Sequence, residues 1–272
     1  MRFRLNQYIF YALCFWVSGS LFSCSLEKDF EIELPALKPQ LVAECYLVPG
    51  EPYRLTLTES TTYLADPEPE IVDDATVVIL HNGQADTLRQ APYFDRKTRK
   101  IYTHVSKTIM TGKPGEVYTL QITDAAGRRL TGTTTVQATV PIDTVQAVYN
   151  SENKAYLLVK FMDPKATNYY YFSVHPDSLN AEDNVDYTAD DAINNGNLFA
   201  FGTGYDFEKS DTAIVTLYHL EKPYYDFLNS VDNAQSANGN PFAQPAGIQS
   251  TVQGGLGVFT NLTFDRKVII LK

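Results

Sequence analysis

From Gln40 onward the chain repeats one pattern, a short stretch of alternating apolar and polar side chains followed by a cluster of Gly, Pro, Asn or Asp. A period of two places every second side chain on the same face of an extended strand, so each stretch can bury one face and wet the other. Turn residues at this close spacing leave little room for helices. The predicted strands of the first part are 40–47, 53–59, 75–81, 84–89, 100–106, 117–123 and 129–136. Asn82-Gly83 predicts a tight hairpin, because Asn and Gly accept the positive φ that a type I′ turn requires. Lys113-Pro114-Gly115-Glu116 launches the strand VYTLQIT, and the loop Asp124–Gly127 ends it. Seven short strands in about 100 residues predict an immunoglobulin-like β-sandwich over 40–140, without the Cys and Trp landmarks of antibody domains.

At Val140-Pro141-Ile142-Asp143 the pattern breaks and restarts with TVQAVYN, which makes 141–272 a second β-rich, sandwich-like domain. Its predicted strands are 143–150, 155–162, 168–175, 197–202, 211–220, 248–259 and 261–271. Residues 177–196 are too polar for a core strand and read as a long acidic loop. One short helix is expected with Pro223 in its first turn, Tyr224, Phe227, Leu228 and Val231 on one face and Asn238-Gly239 as its stop. The fold class is therefore all-β with a single helix.

The first 23 residues have another character. Arg2 and Arg4 precede the uncharged apolar run 8–22, and Ser23 is a small residue suited to a cleavage site, so 1–23 reads as a secretory signal peptide. The run is shorter than the ~20 residues that cross a bilayer. Leu21-Phe22-Ser23-Cys24 resembles the bacterial lipobox, which implies acylation of Cys24, by palmitate among other chains, and cleavage before it. Two or three acyl chains hold a protein on a membrane effectively for good. The alternative is a secreted protein in which Cys24 is incidental. Residues 24–39, with Glu27, Asp29, Glu31, Glu33, Pro35 and Pro39, read as a tether able to reach about 50 Å. Its early acidic cluster is either a solvated linker or, by resemblance, a signal that sends lipoproteins to the cell surface; the periplasmic leaflet is the other destination.

The whole chain carries a formal charge of −10, and losing the leader removes two cations and no acid. Such a balance argues against nucleic acid as a partner and against lying flat on anionic lipid. With Cys14 in the leader and Cys24 acylated, Cys45 has no disulfide partner; its alternation with Leu41, Ala43 and Leu47 predicts a buried, inert thiol.

Few residues point to chemistry. His81, His104, His175 and His219 have no metal-ligand spacing, and most fall at predicted strand ends where a solvated imidazole is unremarked. No G-x-S-x-G elbow or Cys/His nucleophile pair is present, so no catalytic residue is assigned. Gly254-Gly255-Leu256-Gly257 precedes a strand where a phosphate loop needs a helix, and close strand packing is the expected reason for it. Asp183, Asp186, Asp190 and Asp191 offer the hard oxygen ligands that Ca²⁺ prefers, without the spacing of a pre-formed loop; a solvated loop is the alternative. Aromatics crowd the second half. Tyr170 and Phe172 share one strand face, and Phe199, Phe201, Tyr205 and Phe207 fill an expected loop; these six are either core or an exposed surface for a ligand or partner.

Taken together, the lipobox, EKDFEIELPALKPQLVAECYLVPGEPYRLTLTES, DDATVVI, KPGEVYTLQIT, VPIDTV and AGIQSTVQGGLGVFTNLTF resemble the Bacteroidota outer-membrane lipoproteins of the family DUF4249. Members are often encoded beside TonB-dependent receptors. The resemblance implies a non-catalytic accessory binding protein of a nutrient uptake system, anchored to the outer membrane, with a TonB-dependent receptor as partner and no cofactor beyond the lipid on Cys24. A surface hydrolase with an unrecognised site and a structural or adhesive envelope protein are the competing expectations.

Overall fold

The computed structural model describes residues 38–61, 70–179, 185–237 and 247–272. The signal peptide, Cys24, most of the tether, Asp183 and the expected helix stop at Asn238-Gly239 lie outside the described residues. The first part supplies β1 (Leu41–Leu47), β2 (Pro52–Glu59), β3 (Glu70–Ile71), β4 (Thr76–His81), β5 (Gln84–Asp95), β6 (Lys100–Ile109), β7 (Val117–Thr123) and β8 (Arg129–Thr135). The second supplies β9 (Thr144–Tyr149), β10 (Ala155–Met162), β11 (Tyr169–Pro176), β12 (Val185–Asp190), β13 (Leu198–Gly202) and β14 (Thr212–Leu220). Helix α1 (Lys222–Ala237) follows, then β15 (Val252–Gln253), β16 (Leu256–Asn261) and β17 (Thr263–Ile270). The fold is all-β and sandwich-like, with one helix among the described residues.

Alternation works as expected in the first part. Leu41, Ala43, Cys45 and Leu47 of β1 and Tyr53, Leu55 and Leu57 of β2 are all buried, while the residues between them face outward. Asn82 and Gly83 take φ of 49° and 76° and turn β4 back onto β5. Cys45 is fully buried and free, and burial pushes its thiol far above the ordinary range, so it stays protonated and inert.

The seven expected strands do not complete this sheet. Its order is β15-β8-β7-β4-β5-β6-β2-β1-β16, and β3 pairs with β2. Two short strands from near the C-terminus thus sit at the two ends of the path, β15 antiparallel to β8 and β16 parallel to β1. Only Gly254 and Gly255 separate β15 from β16, so one segment joins both ends of the sheet and Phe259 enters the first core. The boundary read from Pro141 therefore separates the chain's first pass from its second, whereas residues 252–261 return to the first core. The glycines explain how they fit. A Cβ on Gly254 would lie 2.1 Å from the Arg129 carbonyl oxygen, and one on Gly257 would lie 2.1 Å from that of Ala43.

The second core lies between a three-stranded sheet, β13-β10-β9, and a four-stranded one, β12-β11-β14-β17. Ala155, Leu157, Val159 and Phe161 of β10 face Tyr170, Phe172 and Val174 of β11 and Ala213, Val215 and Leu217 of β14. Two expectations are corrected here. The acidic stretch 177–196 holds an edge strand, β12, because Val185, Tyr187 and Ala189 alternate inward against this core while Asp186 and Asp190 face outward. The strand predicted at 197–202 is β13, paired with β10 through Phe199↔Phe161 and Phe201↔Val159, so of the expected aromatic loop only Tyr205 and Phe207 lie beyond it.

Polar ties brace each core and the passage between them. Glu221, just before α1, accepts hydrogen bonds from the Thr135 N–H at 2.7 Å and from the Thr134 hydroxyl on β8. Buried Asn261 donates to Thr134 Oγ1 at 2.7 Å and to the Thr135 carbonyl at 2.9 Å. At the Pro141 junction, the Ile142 N–H donates to Asp265 Oδ2 at 2.8 Å.

Candidate functional site

Where the cores adjoin, their outer faces enclose a groove of about 490 Å³. One wall is the first sheet. Tyr46 lies between buried Cys45 and Leu47 and so points out of the core toward the groove, joined by Arg54 of β2 and by Lys100 and Tyr102 of β6. The other wall is the outer face of β14 and β17, where Tyr218 pairs across the ladder with Phe264 and Thr216 with Arg266. Tyr224, in the first turn of α1, closes one side and meets the Tyr46 ring edge-on at 6.0 Å.

Three of the cations of this groove rest on its rings. Arg54 Cζ lies 4.9 Å from the centre of the Tyr102 ring, Lys100 Nζ 4.4 Å from that of Tyr46, and Arg266 Cζ 4.5 Å from that of Phe264. Cation–π contact fixes each charge in place while leaving its outer hydrogens available. Arg54 also donates to Asp95 Oδ2 at 3.0 Å and pairs with Glu51, and Lys100 reaches Glu44 Oε2 at 3.1 Å. Arg266 donates from Nε to Thr216 Oγ1 at 2.9 Å, and no carboxylate pairs with it among the described residues. Burial raises the phenol pKa of Tyr46, Tyr102 and Tyr224, so all three remain neutral hydroxyl donors at physiological pH.

The tip of the β5–β6 hairpin overhangs this groove with the run Arg96-Lys97-Thr98-Arg99-Lys100. Asp95 orders the turn by accepting the Lys97 N–H at 2.9 Å; that bond, with Thr98 and Arg54 behind it, outweighs partial burial and holds the Asp95 carboxyl below its ordinary range. Sequence reasoning passed over this run, although four of the chain's 22 basic residues in five consecutive positions is a legible signal in an acidic protein. Behind the hairpin, a second depression of about 530 Å³ is floored by Ile71, Phe94 and Ile101, with Arg99 and Lys100 at its rim.

The residues singled out from the sequence go elsewhere. Tyr170, Phe172, Phe201 and Phe207 are buried in the second core, and Phe199 is packed against it. They therefore fill space between sheets, and the expected recognition surface is not theirs. Tyr205 is 49% exposed and contacts Tyr156 edge-on, the one member of the six left on the surface. The described aspartates disperse in the same way. Asp191 is buried and accepts the Asn168 N–H at 2.9 Å, Asp186 accepts the Tyr171 hydroxyl at 3.1 Å, and Asp190 accepts the Ala192 N–H at 3.2 Å. Each carboxylate is occupied by its own neighbour, and among the described residues no cluster of metal-ligating side chains forms.

Two histidines are buried, and His219, at a predicted strand end, is not the solvated imidazole expected there. His104 stands 2.9 Å from Thr103 Oγ1, and His219 lies between the Ala138 carbonyl at 2.7 Å and Asn168 Oδ1 at 3.0 Å. Around His219, Tyr170 donates to Asp163, which also accepts the Gly196 N–H at 2.7 Å. This polar network pins the loops at 163–168 and 191–197, and each of its acids already has donors.

Two β cores with a groove of tyrosines and cations where they adjoin define an all-β, sandwich-like protein. The chain belongs to the family described as Domain of unknown function (DUF4249), which matches residues 27–267. Comparison with curated protein sequences returned no match. Among solved structures, the FN1-FN3 domains of chicken CNTN1 align at 8% identity with a TM-score of 0.24, over 85% of this chain and 69% of that one.

Proposed function

We propose that this protein is a lipid-anchored, non-catalytic binding protein of the outer membrane that serves a TonB-dependent uptake system. The observation that carries the reading is the groove at the junction of the cores, whose lining consists of residue types that recognise ligands: phenol hydroxyls and cations seated on aromatic rings. Support for the anchor comes from the sequence Leu21-Phe22-Ser23-Cys24 and the acidic, proline-bearing tether that follows it. In this reading the acyl chains on Cys24 hold the body at the membrane surface and the groove retains a ligand. The apolar depression behind the hairpin meets the receptor, since Phe94 and Ile101, 58% and 46% exposed, form the kind of patch that protein partners cover.

Cells fed a tagged palmitate analogue should yield the labelled protein in the outer-membrane fraction, and Cys24→Ser should leave it unlabelled and released. A tagged chain solubilised from those membranes should co-purify a TonB-dependent receptor, and Phe94→Asp should lose that receptor while the label persists. An unlabelled, freely soluble wild-type chain would remove the anchor. A labelled chain that recovers no such receptor would remove the uptake role.

A further inference from the structure

We propose that the groove between β1, β2, β6 and β14, β17 binds a small organic anion bearing two or more carboxylate or phosphate groups. This rests on the reading of the groove as the binding site and names the class of its ligand.

Charge is the first reason. Five cations line the groove, Arg54, Lys97, Arg99, Lys100 and Arg266, in a chain whose formal charge is −10. Glu51, Asp95 and Glu44 are engaged by Arg54 and Lys100. Lys97, Arg99 and Arg266 pair with no carboxylate among the described residues, so the site carries a net positive charge awaiting a counter-ion. Low-dielectric walls on both sides focus that potential into the groove.

Three of the five aromatic rings in the lining are turned away from the obvious alternative. A neutral sugar is held by stacking its apolar face on an open aromatic face. Here Lys100 lies over Tyr46, Arg54 over Tyr102 and Arg266 over Phe264, so those faces are taken. What the groove offers inward is guanidinium, ammonium and phenol donors. Guanidinium forks match carboxylate and phosphate oxygens two at a time.

The acidic background selects for size. Charges act over a Debye length of about 8 Å at physiological ionic strength, so a small anion inside the groove responds to the local cations. An extended polyanion or an anionic bilayer would also meet the rest of a chain whose formal charge is −10. A volume of about 490 Å³ suits a ligand of metabolite size.

The test titrates the mature protein, purified in detergent from membranes, with citrate and fructose 1,6-bisphosphate and with the neutral counterparts trimethyl citrate and fructose, by calorimetry. At least one anion should bind with a Kd of about 1 mM or tighter, weaken as salt is raised, and leave the neutral compounds unbound. Arg266→Gln should weaken it about tenfold or more, as should Arg99→Asn, which keeps a side chain tolerant of the φ of 55° at that position. Arg99 is exposed at the hairpin tip, so its variant probes the charge without disturbing a core. Neutral compounds binding as well as the anions, with sensitivity to Tyr46→Ala or Tyr224→Ala, would overturn the ligand class while keeping the site. Anion binding indifferent to both Arg variants, or no binding by any probe, would overturn the site itself.

Discussion

Replacing Gly257 by Ala asks whether the returning strand β16 holds the first core together. The added Cβ would lie 2.1 Å from the Ala43 carbonyl oxygen and 2.9 Å from its carbon, where an ordinary contact begins near 3.4 Å. Relief needs the parallel pair β1–β16 to part by about 1 Å, which stretches neighbouring ladder bonds from about 2.9 Å toward 4 Å and leaves buried amides without partners at about 1–3 kcal/mol each. Gly257 also has φ of +116°, a conformation that costs an L-residue about 1–3 kcal/mol more. The total is about 4 kcal/mol. For a body of this size each kcal/mol moves the melting temperature by about 2–4 °C, so a loss of about 10 °C is expected. Gly202→Ala is the control: its Cβ would meet Tyr156 at 3.7 Å, an ordinary contact, and its φ is not positive, so stability should change by less than about 1 kcal/mol. Chemical denaturation of the two variants side by side reads the difference. Equal stability for both would refute the claim that β16 is wedged against β1.

Three further outcomes follow from the packing. Phe172→Ala, at a fully buried site, should cost about 3–5 kcal/mol, while Tyr205→Ala should stay within about 1 kcal/mol; a reversed order in urea denaturation would contradict the burial of the aromatic set. Burial holds the His104 and His219 imidazoles below their ordinary value, so on acidification the unfolded chain takes up protons first. Their stabilisation is complete above about pH 6.5 and is lost as pH falls through the folded-state values; urea midpoints that stay level from pH 7.5 to 5 would refute this. Asn261→Ala should destabilise by about 2–3 kcal/mol, since it breaks one buried and one partly buried hydrogen bond to β8, and a change below about 0.5 kcal/mol in the same assay would show that the tie carries no load.

Local pattern made most of the architecture legible. Alternation alone turns Leu41, Ala43, Cys45 and Leu47 inward, and Asn82-Gly83 specifies its own turn, because both follow from backbone geometry within a few residues. The edge strand β12 escaped the same reasoning. Its outward acids hid a regular inward series, Val185, Tyr187 and Ala189, that only a core on one side makes visible. The aromatic set misled for a related reason, since a Phe in a strand and a Phe on a loop look alike until its cross-strand partner is known. The groove is half legible: the basic run at 96–100 is plain in the sequence, but Tyr46, Tyr218 and the pair Phe264 and Arg266 lie far apart in it and become neighbours through sheet order.

Local pattern is enough for an all-β chain, a buried Cys45, the hairpin at Asn82-Gly83, the helix with Pro223 in its first turn and the phrases of strand and turn that carry the family resemblance. Most of these depend on regular periods along the chain or on the dihedral limits of single residues. Long-range packing alone brings residues 252–261 back to finish the first core, puts most of the aromatic set inside, and gathers cations from two cores into one groove. These depend on which strands pair across long stretches of chain, a choice made by the summed burial of whole faces and by three glycines small enough to let a late strand slip in.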